Sequence, residues 1–138
     1  MNVQRICFLG TRTRNFEATS ALFRDVLGLQ SVHTEAGWSI FGLPSGRSDF
    51  VEVFGPDHEN ASVFPAEVRE GIVVAFAVDD IAAAREELAA ANVELIGGLV
   101  WANELFDDPK MEGFGWFFFR APDDNVYVMQ QDSRPAIT

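Results

Sequence analysis

A single cysteine, Cys7, stands in this chain of 138 residues, so no internal disulfide can form and a reducing compartment, the cytoplasm, is expected. Cys7 falls inside a strand-like run, which favours a buried small hydrophobe over a reactive thiol. Long apolar runs are missing too. None approaches the ~20 residues of a membrane span, and the strand-like start at Val3 lacks the apolar stretch and cleavage site of a signal peptide. Basic residues are scarce: 10 against 21 acids, for a formal charge of −11. They are nearly all arginines and scattered along the chain, so no nucleic-acid or anionic-membrane surface is expected, and a neutral or cationic partner is favoured. No phosphate-cradling glycine loop, nucleophile elbow or paired-cysteine zinc pattern is present.

Aromatic and β-branched residues are plentiful, and the closing stretch concentrates them. Gly115-Trp116-Phe117-Phe118-Phe119-Arg120 and Val126-Tyr127-Val128-Met129 read as two strands. Ala121-Pro122-Asp123-Asp124-Asn125 between them is turn chemistry: Pro122 presets φ, and Asn125 is expected to adopt the left-handed conformation that closes the hairpin. Both strands are apolar at consecutive positions, whereas a strand with one wet face alternates. Both faces of the hairpin must therefore be covered.

Earlier in the chain a strand opens at Ile6-Cys7-Phe8-Leu9. The spacing of Phe16, Thr19, Leu22, Phe23, Val26 and Leu27 then predicts a helix over residues 15–27, with Asn15 as cap and Gly28 as stop. Strand-like pieces follow near 30–34 and 38–42, then a turn at 44–47 and a strand over 50–54. Residues 57–71 are polar with poor periodicity and read as a linker. The pattern then restarts: an apolar strand over 72–78, an Asp79-Asp80 cap, a helix with the stripe Ile81, Ala84, Leu88 and Ala91, and Asn92 at the stop. Residues 93–101 read as strand and 102–114 as a surface loop. Both halves are thus strand, helix, three strands, with helices about 65 residues apart, and this repeat is the main architectural signal. The expected fold is α+β, a single domain over 1–138 of two βαβββ modules (about 3–56 and 72–131) forming a curved mixed sheet with helices on its convex face.

Residues 15–29, with Leu22-Phe23-Arg24-Asp25-Val26-Leu27-Gly28-Leu29, resemble the first-helix signature of the vicinal oxygen chelate superfamily, the group of glyoxalase I, extradiol dioxygenases and bleomycin-resistance proteins. Val78-Asp79-Asp80-Ile81 resembles the start of its second helix. Residues 119–127 resemble its closing hairpin, with Asp124 where Gly is usual. The resemblance implies paired βαβββ modules, a concave pocket and frequently a homodimer. In metal-dependent members it implies a divalent ion held from the first and last strand of each module. Carried onto this chain, those places fall at Phe8, Glu52, Val73 and Val128, of which only Glu52 can bind a metal. Sliding the strands by one or two residues offers, at best, Glu52 with Cys7 or Gln130. No metal and no cofactor are therefore expected.

Strand alternation assigns Ile6, Phe8, Gly10, Phe50, Glu52, Phe54, Val73, Ala75, Val126, Val128 and Gln130 to the concave face, an apolar trough with one acid. Trp38, Trp101 and Trp116 are candidate aromatic walls, or else core or dimer packing. Glu52 can be a structural ion-pair partner (Arg120 or Arg5 supplying the cation), an anchor for a cationic or hydrogen-bonding ligand, or a general base. His33 reads as a strand-face residue and His58 as a solvated loop residue. The expected function is a metal-independent, glyoxalase-like small-molecule-binding protein, with bleomycin-resistance-type sequestration of an aromatic or cationic compound as one role. The alternative is a lyase, isomerase or dioxygenase of the same superfamily using a displaced metal site or Glu52 as base. A third reading is a dimeric interaction module whose trough its partner fills.

Overall fold

The computed structural model describes residues 1–44, 49–58, 60, 63–68 and 71–135; all but Pro44 of the turn expected at 44–47 lies outside them. The first module runs β1 (Arg5–Arg12), α1 (Phe16–Ala21), β2 (Gln30–Glu35), β3 (Trp38–Gly42) and β4 (Phe50–Phe54). The second runs β5 (Gly71–Ala77), α2 (Ile81–Ala90), β6 (Glu94–Trp101), β7 (Phe114–Arg120) and β8 (Val126–Asp132). Between β6 and β7 the expected loop forms a short helix, α3 (Ala102–Leu105), and a 3₁₀ turn (Pro109–Met111). That turn starts where Asp108 accepts the Lys110 N–H and Pro109 takes a first-turn position, where no amide is needed. By contacts the chain divides into Phe8–Val73 and a second unit of Met1–Cys7 with Val74–Thr138. No helix among the described residues is long and apolar enough to cross a membrane.

The repeat is visible in the strand wiring. Strand order is β2-β3-β4-β1 in one module and β6-β7-β8-β5 in the other. In each, the first strand lies parallel to the last and the other pairings are antiparallel. Parallel neighbours cannot be joined by a tight turn, so the helix and two intervening strands carry the chain back. The fold is α+β with mixed strand pairing.

In the second module α2 behaves as its stripe predicts. Asp80 caps it by accepting the Ala83 N–H at 3.0 Å, and Asn92 ends it at φ 61°. Ile81 and Ala84 are buried with Val78, Phe117, Phe119 and Met129 in one cluster, and Leu88, Trp101 and Tyr127 pack around it. The other face of β7 and β8 is buried as well: Trp116 is 9% exposed, Phe118 and Val128 4%. The consecutive apolar residues are thus used on both faces. The hairpin turn departs from expectation in one respect. Asp124, not Asn125, takes the left-handed conformation at φ 67°, because Asp123 Oδ1 accepts the Asn125 N–H and Asp124 N–H donates to Ala121 O, folding the turn one residue earlier. Replacing Asp80 with alanine should lower unfolding stability by about 1 kcal/mol, read as a shifted urea midpoint at unchanged slope.

In the first module the helix changes pitch. After α1, Leu22–Val26 form a π turn, with Leu27 N–H donating to Leu22 O at 3.0 Å. The wider turn rotates the apolar stripe out of phase. Ser20 and Phe23 still meet Ser39 and Phe41 of β3, but Leu22, Val26 and Leu27 are exposed, Val26 by 73%. Asn15 makes no side-chain cap bond, and Gly28, at φ 68°, ends the helix as expected.

Candidate functional site

β4 lies between β1 and β3, and the register places Glu52 beside Gly10 on one side and Ile40 on the other. Side chains two residues apart share a strand face. Phe8, Gly10 and Arg12, Phe50, Glu52 and Phe54, and Trp38 and Ile40 therefore share the face opposite α1. Trp38 is the centre of this group. Its indole N–H donates to Glu52 Oε1 at 2.7 Å, and its ring stacks on Phe54 at 5.8 Å. His33 and His58 meet it edge-on at 5.1 and 5.4 Å.

Trp38 thus fills the partner role for which Arg120 and Arg5 were candidates; Arg120 instead donates to Glu94 at 2.6 Å. Glu52 retains some exposed surface, but its carboxyl is enclosed by protein. Burial pushes its pKa up to about 7, and the Trp38 hydrogen bond offsets part of that rise. His58 is not the solvated loop residue its sequence context suggests. It packs against Phe54 as well as Trp38, and burial holds its pKa below the usual value, with Arg12 adding to that effect and Glu35 opposing it. His33 is exposed on β2 and bonded to Glu35.

The linker reaches this face too, which its polar composition concealed. Val63, Phe64, Pro65 and Val68 are buried. The Phe64 ring stacks on Phe54 at 4.3 Å and passes so close to Gly10 that a Cβ there would lie 2.9 Å from it and 2.5 Å from Phe8. Arg12 holds the linker in place. Its Nη1 donates to Gly55 O and His58 O, and its Nη2 to Phe64 O at 3.0 Å and Pro65 O, with the guanidinium over the Phe64 ring. The Phe54 end of the trough is therefore occupied by the chain itself, while Phe50, Glu52 and Ile40 keep partial exposure.

The structure brings Trp38, Glu52 and Phe54 into contact and pairs Phe8 with Phe50 in register. Val73 is buried on β5. In the second module Trp116 and Val128 share a face. Trp101 does not join them, because it packs with the α2 cluster on the opposite face. The sequence reading missed Arg12, Phe64 and the position of His58. The available signal was Val63-Phe64-Pro65 and Val68 inside an otherwise polar stretch.

Neither a family model nor a curated protein matches the sequence. Solved structures do match. The Mn(II)-bound glyoxalase from Novosphingobium aromaticivorans superposes with a TM-score of 0.69 at 20% identity, over 99% of this chain and 42% of that one, so this chain spans less than half of that protein. Methylmalonyl-CoA epimerase from Streptomyces coelicolor, in complex with 2-nitronate-propionyl-CoA, superposes at 0.64 and 18% identity, over 96% and 99% of the two chains. A glyoxalase/bleomycin resistance protein/dioxygenase superfamily member from Vibrio splendidus 12B01 gives 0.61 and 16%, over 93% and 98%. The chain has the vicinal oxygen chelate fold. For a metal-dependent member, the family resemblance implies ligands from the first and last strand of each module. Here Phe8 stands on β1, Glu52 on β4, Val73 on β5 and Val128 on β8. Three of these have no donor atom, and Glu52 is engaged by Trp38. Among the described residues no three His, Cys, Asp or Glu side chains gather into a group that could hold a metal ion. The donor set does not fit a chelated divalent ion at the positions the fold implies.

Proposed function

We propose that this chain is a glyoxalase-like small-molecule-binding protein whose recognition chemistry rests on Glu52 rather than on a chelated metal. One observation carries the reading: a buried carboxyl held by the Trp38 indole N–H, its pKa pushed by burial up to about 7. Above that pH a desolvated carboxylate beside an aromatic wall attracts a cation, and aromatic faces add to the attraction. The half-exposed Phe50 and Ile40 offer an apolar seat next to it. An aromatic cation is the ligand chemistry this supports, and sequestration of such a compound, as in bleomycin-type resistance, is the role. The reading includes a homodimer, checked by sedimentation equilibrium, and a cytoplasmic location.

Titration with N-methylquinolinium, followed by tryptophan fluorescence, tests it. Saturable binding should tighten as pH rises through about 7 and weaken about tenfold in Glu52→Gln. Equal binding by the two proteins, or none by either, would count against it.

The same pKa favours a second reading, proton transfer, because a general base or acid works best near the operating pH. One protein similar in fold is a methylmalonyl-CoA epimerase. This reading expects solvent deuterium to enter a carbon acid at its acidic C–H in the presence of the protein, and Glu52→Gln to abolish that exchange.

A further inference from the structure

We propose that the first module carries a second small-molecule site, separate from the Glu52 face, at the carboxyl ends of β1 and β4, and that it takes an organic ammonium on a flat apolar body. β1 and β4 run parallel, and Arg12 and Phe54 are their last register pair. Just beyond it, residues 14–18, the Ala36-Gly37 turn and residues 55–58 converge around a cleft of about 620 Å³. Small-molecule sites run from roughly 300 to 1,000 Å³, so the cleft is of the right size.

Backbone closes part of its wall. Gly55 N–H donates to Gly37 O at 2.9 Å, and a Cβ on Gly55 would stand 3.4 Å from Gly37 Cα. A ligand can therefore lie flat against peptide groups there. Phe16 and Pro56 supply apolar surface, and Glu17 and Asp57 set two carboxylates against one guanidinium, Arg14. That balance, in a chain of formal charge −11, selects a cation over an anion.

His58 leaves the charge balance of the cleft unchanged. It lines the cleft, and its ring is fixed by edge contacts with Trp38 and Phe54. Its Nδ1 is shut off from solvent and has no hydrogen-bond partner. Burial favours the neutral imidazole, so the ring brings no positive charge to oppose a cation. A primary ammonium supplies the charge that Glu17 and Asp57 select.

Three probes that share a phenylethyl body test the proposal: 2-phenylethylamine, 2-phenylethanol and 3-phenylpropionate, titrated into the intact protein at pH 8 by calorimetry and by amide chemical shifts. The amine should bind saturably and about tenfold more tightly than the alcohol, with the propionate weakest. Shifts should centre on residues 14–18, 36–37 and 55–58. Asp57→Asn and Glu17→Gln, both exposed and neither part of the core, should each weaken the amine several-fold without changing the melting temperature. Absence of saturable amine binding, equal binding of alcohol and amine, or amine binding indifferent to both substitutions would overturn it. Because these substitutions leave Glu52 intact, failure here is distinct from failure of the aromatic-cation reading.

Discussion

Glu52→Gln should make the protein more stable at pH 8 and leave its stability at pH 4 nearly unchanged. The carboxyl's pKa is raised from 4.5 to about 7, chiefly by burial. A raised carboxyl means that the folded chain binds this proton more tightly than the unfolded chain does. The resulting stabilisation is complete below the unfolded value, is lost progressively between pH 4.5 and about 7, and is gone above that. Glutamine keeps the shape and the acceptor for Trp38 but never ionises. The two proteins should therefore diverge across this window, reaching at most roughly 3 kcal/mol in favour of glutamine at pH 8. Urea midpoints of both proteins between pH 4 and 8 measure the divergence. Parallel curves would mean that the carboxyl titrates as an ordinary solvated group.

The second large effect is expected at Arg12, where methionine should cost about 3 kcal/mol or more. The side chain is 5% exposed and its two terminal nitrogens donate to carbonyls of Gly55, His58, Phe64 and Pro65. Removing the guanidinium leaves several buried acceptors unpaired, each carrying a desolvation cost of about 1–3 kcal/mol that partial solvation reduces. Lysine should rescue little, since one ammonium cannot reproduce a planar fork reaching separate carbonyls. Phe64→Ala should cost a similar ~3–5 kcal/mol by leaving a cavity against Phe54 and Gly10. Because the guanidinium also lies over the Phe64 ring, the double variant should lose less than the two single losses combined. Additive losses would show that Arg12 and the linker are held independently.

The features legible in the sequence were those set by short-range periodicity and capping. The α2 stripe, the Asp80 cap, the doubly covered hairpin and the strand–helix–three-strand repeat each follow from residues within a few positions of one another. The first helix shows where such reasoning stops. Its stripe is regular on paper, but a π turn at Leu22–Val26 shifts the phase and sends Val26 and Leu27 outward. The linker shows a second limit: Phe64 and Arg12 are 52 residues apart, and no local pattern reports that they meet. At the candidate site, strand alternation correctly placed Glu52 and Phe54 on one face. The Trp38 hydrogen bond could not be read, because it crosses between strands whose register only the fold defines. Trp101 faces away from Trp116 because it pairs with Gly115, the residue before Trp116, and so takes the opposite face of the strand pair.

The burial of β7 on both faces has a consequence for biosynthesis. Phe114-Gly115-Trp116-Phe117-Phe118-Phe119 contains no charge and no proline and is rich in residues that favour extended pairing, the composition of segments that self-associate when unprotected. In the finished protein β6 and β8 shield both of its edges. One of those guards, β8, is synthesised after it. Until Val126–Asp132 leaves the ribosome, an aromatic ribbon waits with one side unzipped, and Arg120 with Pro122 just past its end are the nearest brakes on its meeting another nascent copy.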